Sequence, residues 1–264
     1  MKNKMVIFSI FLIIILLFLF GENQNIFLGD ISGREHGGFY VLDMYGDIYV
    51  SGGATYLGGL NFDDQTVVDL ELTQDGYYIL DRFGKVFTFG DVEFFGEANL
   101  ENAVDLELTQ DGYYILDSEG RVHDYGFIEN LGDGPSGEYV DLELVDSGYY
   151  LLRENGTIES TGAVKDLVGT YLENAVDLEL TQDRYYILDS NGTIVSFGGV
   201  HILDSIFLED HSARDFEFIP NEEGYYILGG YGNVYSFNAA VGFYGPEIRD
   251  EPSFIDLELL PNLS

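Results

Sequence analysis

Six short stretches place two acids, one residue apart, inside an otherwise apolar run: VDLEL at 68–72, 104–108, 140–144 and 176–180, RDFEF at 214–218 and IDLEL at 255–259. Carboxylates at that spacing have three chemical uses. They can share general acid and base duty, as in glycoside hydrolysis. They can ligate a hard cation such as calcium, which takes about six to eight oxygens. Or they can accept hydrogen bonds that tie one segment to another. In an extended strand successive side chains alternate faces, so Asp69 and Glu71 share one side while Val68, Leu70 and Leu72 share the other. The candidate binding residues therefore form two tiers, with Asp69, Asp105, Asp141, Asp177, Asp215 and Asp256 in one and Glu71, Glu107, Glu143, Glu179, Glu217 and Glu258 in the other.

Other chemistry is thinly represented. The chain of 264 residues has no cysteine, which removes disulfides, thiolate catalysis and cysteine-based zinc sites. His36, His123, His201 and His211 share no metal-ligand spacing. The 33 glycines fall at hairpin turns and not in a phosphate-cradling loop. With 47 Asp and Glu present, the approach of any two acids carries no catalytic signal by itself. No motif calls for a cofactor, and calcium is the one metal that the acid tiers suggest. The formal charge of −36 repels nucleic acid and anionic lipid and attracts cations, basic proteins or basic polymers.

The elements that must position the acids repeat at a fixed period. An aromatic pair recurs as Phe39-Tyr40, Tyr77-Tyr78, Tyr113-Tyr114, Tyr149-Tyr150, Tyr185-Tyr186 and Tyr225-Tyr226, at spacings of 38, 36, 36, 36 and 40. Each unit reads as an antiparallel meander. In the second, VDLEL (68–72) is followed by the turn TQDG, the strand YYILD (77–81), the turn RFG and the strand KVFTFG (85–90), and EFFG (93–96) reads as a short fourth strand. TYLGG, IENLG, KDLVG, HILDS and GFYG are its counterparts. Six such units cannot bury both faces alone, and radial stacking into a closed ring solves that problem. The expected fold is all-β, a six-bladed β-propeller of about 36–41 residues per repeat. The acid-bearing strand follows the sixth unit without a copy before the first, so 255–259 should complete the blade begun by Phe39 and remove an open edge.

Propeller blades pack on both faces, so acids are tolerable only on the innermost strand, facing a central channel. The hairpin parity sets Asp69 and Glu71 on the same face as Tyr78 and Leu80. Tyr40, Tyr78, Tyr114, Tyr150, Tyr186 and Tyr226 are accordingly the expected hydroxyl donors to the acids. Like charges about 8 Å apart repel by roughly 2 kcal/mol per pair at an effective dielectric near 20. Three things could offset that: hydrogen-bond donors, protonation of some carboxyls, or a bound cation.

GYYILDRFGKVFTFGDVEFFGEA (76–98) and DFEFIPNEEGYYILGGYGNVYSF (215–237) resemble the repeats of secreted bacterial cell-surface propellers, of the pattern G-Y-[WY]-[LV]-x-x-x-x-G-x-V-x-x-F-G. The resemblance implies a surface-exposed propeller with no catalytic motif to carry over. This chain departs from the pattern in having no tryptophan. Two lysines followed by an apolar run from Met5 to Phe20 assign 1–21 to a signal peptide, or alternatively an uncleaved membrane anchor. Residues 22–37 read as a linker or extra edge strand and 38–264 as one propeller domain. The expected protein is secreted, periplasmic or cell-surface, monomeric, and touches a membrane only through an uncleaved N-terminal segment.

The functional expectation is a non-catalytic binding, interaction or structural module. The alternatives are a propeller hydrolase or lyase acting on glycans with acids at a channel mouth, and a calcium-stabilised surface protein. GDGPSGEY (132–139), SIFLEDHSAR (205–214) and AAVGFYGPEIRDEPS (239–253) break the repeat and fall on one rim. That rim is the expected surface for a protein or glycan ligand. A non-repeated cluster of Arg, His, Tyr and Glu in a rim pocket would favour an enzyme.

Overall fold

A computed structural model describes residues 37–260, apart from 183, 199–202, 211, 220–222, 239, 241, 243 and 244. The segments read as signal or anchor and as linker, apart from Gly37, lie outside the described residues, as do His36, His201 and His211. Among the described residues no helix is long and apolar enough to cross a membrane.

The second unit folds as β3 (Val67–Leu72), β4 (Gly76–Asp81) and β5 (Val86–Gly90), a three-stranded antiparallel sheet in that order. The third is β6 (Ala103–Thr109), β7 (Gly112–Asp117) and β8 (Val122–Gly126), and the fourth β9 (Tyr139–Val145), β10 (Gly148–Arg153) and β11 (Ile158–Gly162). The fifth is β12 (Ala175–Leu180), β13 (Tyr185–Asp189) and β14 (Ile194–Phe197), and the sixth β15 (Ala213–Phe218), β16 (Gly224–Gly229) and β17 (Val234–Asn238). The first unit supplies only β1 (Gly38–Asp43) and β2 (Ile48–Gly52), and its inner strand is β18 (Phe254–Leu259), which pairs with β1 from Phe39–Leu259 to Asp43–Phe254. Six sheets with their acid-bearing strands innermost make a six-bladed β-propeller, closed in the first blade by the last strand.

The recurring aromatic pair is explained by the packing. The middle strand of each blade is covered on both faces, and all six residues of β4 are buried. Tyr77 and Ile79 pack with Tyr40, Leu42 and Ile48 of the preceding blade. Tyr78 and Leu80 pack with Leu106, Tyr113 and Ile115 of the following one. Adjacent aromatics thus serve opposite neighbours, and their rings meet between blades, with Tyr40–Tyr77 centroids 5.4 Å apart and Tyr78–Tyr113 centroids 5.7 Å apart. The core is accordingly a ring of interblade clusters.

Glycine opens the second strand where two backbones nearly touch. A Cβ on Gly76 would sit 2.0 Å from the Phe89 carbonyl oxygen, while its cross-strand partner Gly90 has φ +93°. At the other end Asp81 caps the next turn, its Oδ1 accepting the N–H groups of Phe83 and Lys85. Asp43, Asp117 and Asp189 do the same.

The expected fourth strand is not formed. Residues 55–59, 93–96, 128–132 and 165–169 run outside any strand, and HILDS and GFYG lie partly outside the described residues. These segments are held by tyrosine hydroxyls in place of a ladder. Tyr78 donates to the Glu93 carbonyl (2.7 Å) within its own blade, and Tyr77 donates across to the Gly58 carbonyl (2.6 Å) of the preceding blade. Tyr113 bonds the Gly96 carbonyl in the same way.

Candidate functional site

Each inner strand enters the channel through a β-bulge. Pairing runs from Val67–Asp81 directly to Asp69–Leu80, and register shifts at the corresponding place occur in all six blades. The extra residue reverses side-chain parity at the strand entry. Val68 therefore lines the channel beside Asp69 and does not share the side of Leu70, contrary to the simple alternation. Beyond the bulge the expected parity holds, with Leu70 opposite Ile79 and Glu71 opposite Tyr78.

All twelve acids line one central cavity of about 140 Å³, with Val68, Val104, Val140, Val176, Ile255 and Arg214 at the bulges. The Asp tier is bonded from blade to blade. Asp69 Oδ2 accepts the Leu106 N–H at 3.0 Å, Asp105 the Leu142 N–H at 2.6 Å and Asp141 the Leu178 N–H at 2.8 Å. Asp215 accepts from Leu257 at 2.7 Å, and Asp256 from Leu70 at 2.6 Å. The sixth link is missing: Asp177 Oδ2 is buried without a partner. That junction carries Arg214 where four other blades have valine and one isoleucine.

The donors to the Asp tier are thus backbone amides, and four of the six tyrosines expected in that role are committed elsewhere. Tyr40, Tyr78, Tyr114 and Tyr150 donate to the carbonyls of Thr55, Glu93, Glu129 and Lys165. A tyrosine on the second strand extends outward between blades, where its ring finds apolar surface and its hydroxyl an unpaired carbonyl. The first residue after the neighbouring bulge pair lies closer to the aspartate.

The Glu tier stands apart. The Leu144 N–H offsets part of the upward push that burial gives Glu107. Burial and neighbouring carboxylates push all twelve acids upward: Asp105 and Asp215 to about 7 by burial, the other ten well above the ordinary range, burial again leading. Among the described residues, no group of three or more His, Asp or Glu side chains is arranged to hold a metal ion.

A second candidate lies where the repeat fails. In the fourth blade Arg153 replaces the turn-capping aspartate. Its guanidinium lies 4.9 Å from the Tyr139 ring centroid, donates to the Tyr139 hydroxyl at 3.0 Å and pairs with Glu159 at 3.1 Å. Gly137, from the 132–139 insertion, approaches so closely that a Cβ there would meet the guanidinium carbon at 2.8 Å. Around Arg153 opens a cleft of about 580 Å³, lined also by Gly137, Glu138, Glu154, Asn155, Tyr171, Leu172, Glu173 and Asn174. Tyr171 is 75% exposed. The same insertion disturbs the next tyrosine clasp: Gly132 N–H turns to Asn130 Oδ1, Asp133 Oδ1 takes the Val122 N–H, and the buried Tyr149 hydroxyl is left without a partner. Residue type alone could have flagged this sector, because Arg153 stands where 43, 81, 117 and 189 are all aspartate.

Of the other rim stretches, 239–253 sends Arg249 back to the first blade, 2.8 Å from the buried Asp43 and 4.7 Å from the Phe254 ring centroid. His123 lies with Nε2 3.4 Å from Asp117 Oδ2 and belongs to neither site.

No family model matches the sequence, and no curated protein matches it. Solved structures do share its shape. A chain from a nidogen/laminin complex superposes with a TM-score of 0.58 at 10% identity, over 85% of this chain and 98% of that one. The computationally designed Ika8 protein gives 0.49 at 10% identity, over 83% and 79% of the two chains. The C-terminal WD40 domain of Sif2 gives 0.48 at 14% identity over 69% of this chain, which spans little more than half, 57%, of that one. At these identities the likeness is one of fold.

Proposed function

We propose that this propeller is a non-catalytic interaction module, acting as a monomer outside the cell or on its surface, that seats a basic segment of a protein partner in the fourth-blade cleft. The observation that carries this reading is that one of the repeat's departures builds a cleft: the 132–139 insertion, Arg153 in place of aspartate and the exposed Tyr171 all border it. Arg153 is already neutralised by Glu159, so the remaining charge is that of Glu138, Glu154 and Glu173. An exposed tyrosine ring beside three carboxylates suits a lysine or arginine side chain, through cation–π and charge-assisted contacts. The chain's charge of −36 would speed encounter with such a partner. The apolar run at 5–20 and the resemblance to secreted propeller repeats support the extracellular setting. A chain of similar fold comes from a nidogen/laminin complex, which supports a protein-binding role for this shape.

The second reading is a glycan-acting enzyme, favoured by the non-repeated set of Arg153, Tyr171 and three glutamates. Against it, Glu138, Glu154 and Glu173 are solvent-exposed, where nothing excludes water from a catalytic acid. Fluorescence anisotropy with a labelled lysine- and arginine-rich peptide separates the two. Tyr171→Ala with Glu154→Gln should weaken binding about tenfold, a loss of roughly 1.4 kcal/mol, while Glu97→Gln leaves it unchanged. Equal affinity in all three proteins would sink the cleft as the binding site. Turnover of an oligosaccharide panel that vanishes in Glu154→Gln would install the enzyme instead.

A further inference from the structure

Hydrogen bonding on the Asp tier does not balance the charge of the channel. Each inner strand, β3, β6, β9, β12, β15 and β18, turns its Asp and its Glu into the same cavity of about 140 Å³. Arg214 on β15 is the one cation among the described residues lining it. The Arg214 guanidinium donates to the Ala213 carbonyl at 2.9 Å, and twelve carboxylates in that volume repel strongly. One of their oxygens has no donor at all: Asp177 Oδ2 lines the cavity, buried and without a hydrogen-bond partner. An ionised carboxylate only accepts, so a buried oxygen with no donor, set among like charges, favours the protonated form.

We propose that the channel is a proton-binding site, in which neighbouring carboxyls share protons at neutral pH and those protons help hold the six inner strands around one axis. No covalent bond other than O–H changes when a proton leaves to water. Burial and like charge act together to keep the protons bound, and two of the acids, Asp105 and Asp215, titrate near 7. A carboxyl whose folded pKa lies above its unfolded value stabilises the fold while it stays protonated, and that contribution is lost as pH rises through the folded pKa. Stability should therefore decline from mildly acidic to alkaline solution, beginning near pH 7 for Asp105 and Asp215 and continuing above it for the others.

Infrared spectroscopy of the folded protein tests the proposal directly. At pH 7 it should show the C=O stretch of protonated carboxyl groups, shifted in D₂O, weakened at pH 9 and missing from the urea-unfolded chain. No such band at pH 7 overturns the proposal. Thermal unfolding provides a second arm. The Tm should fall by about 10 °C between pH 5 and 9, the scale expected when a few carboxyls each lose about one pKa unit or more of coupling. Glu71→Gln, Glu143→Gln and Glu217→Gln together should at least halve that fall, while the exposed set Glu97→Gln, Glu101→Gln and Glu129→Gln should preserve it. If both triple variants keep the full slope, net surface charge is responsible and the channel is not. A calcium-dependent Tm without the infrared band would put a metal ion in place of the protons and likewise overturn the proposal.

Discussion

The Asp and Glu tiers sit two residues apart on the same strands and face the same cavity, yet they are held differently. In five of six blades the aspartate meets a backbone N–H of the next blade at 2.6–3.0 Å. The glutamate, one methylene longer and past the bulge, lines the same cavity, where the Leu144 N–H reaches Glu107. A carboxylate's role in this channel is thus set by its reach. The short acid closes a seam, and the long one adds charge that the seam must tolerate.

Breaking a seam should have the largest effect. Asp105→Ala removes the acceptor of the 2.6 Å Leu142 bond and leaves a buried N–H unpaired, so urea unfolding should show a loss of about 2–3 kcal/mol. Asp177→Ala removes an oxygen that already lacks a partner and should cost less than about 0.5 kcal/mol. Similar losses in the two variants would erase the distinction between linked and unlinked aspartates.

On the Glu tier the expected sign reverses. Glu107→Gln with Glu179→Gln preserves hydrogen-bonding shape while removing two charges, and should raise stability at pH 8 by about 1 kcal/mol and have little effect at pH 5. A fall in stability, with a Tm that rises on adding calcium and drops with a chelator, would identify the tier as a cation site.

The contrast extends to the tyrosine clasps at smaller scale. Tyr113→Phe deletes the bond to the Gly96 carbonyl and should cost about 1 kcal/mol. Tyr149→Phe deletes a buried hydroxyl with no partner and should be neutral or slightly stabilising by the same measurement.

The repeat made much of this readable in advance. Its period reveals six blades, its missing first copy locates the closing strand at 255–259, and hairpin parity alone places Glu71 opposite Tyr78. What escaped was anything decided by backbone geometry. A bulge at Val68 has no residue signature in a V-D-L-E-L run, so simple alternation assigns that side chain the wrong face. The aspartate's partner is an amide that every residue carries, whereas the tyrosine hydroxyl is conspicuous and drew the assignment. EFFG has strand composition, but its carbonyls are met by tyrosines from two blades before any neighbouring strand can pair with it.

The placement of β18 has a consequence for the order in which the molecule can be made. While the chain is still being extended, blades two to six can each assemble from strands close in sequence, but β1 must wait for a partner more than two hundred positions downstream. Until then the first sheet has an unprotected edge, open to pairing with another chain. When β18 arrives it fills that edge, donates Leu257 N–H to Asp215 and offers Asp256 to Leu70 N–H, so that one late strand joins three blades at once. Ring closure is therefore the slow, long-range step of folding, and a chain halted before residue 254 would present an intact set of blades with no ring.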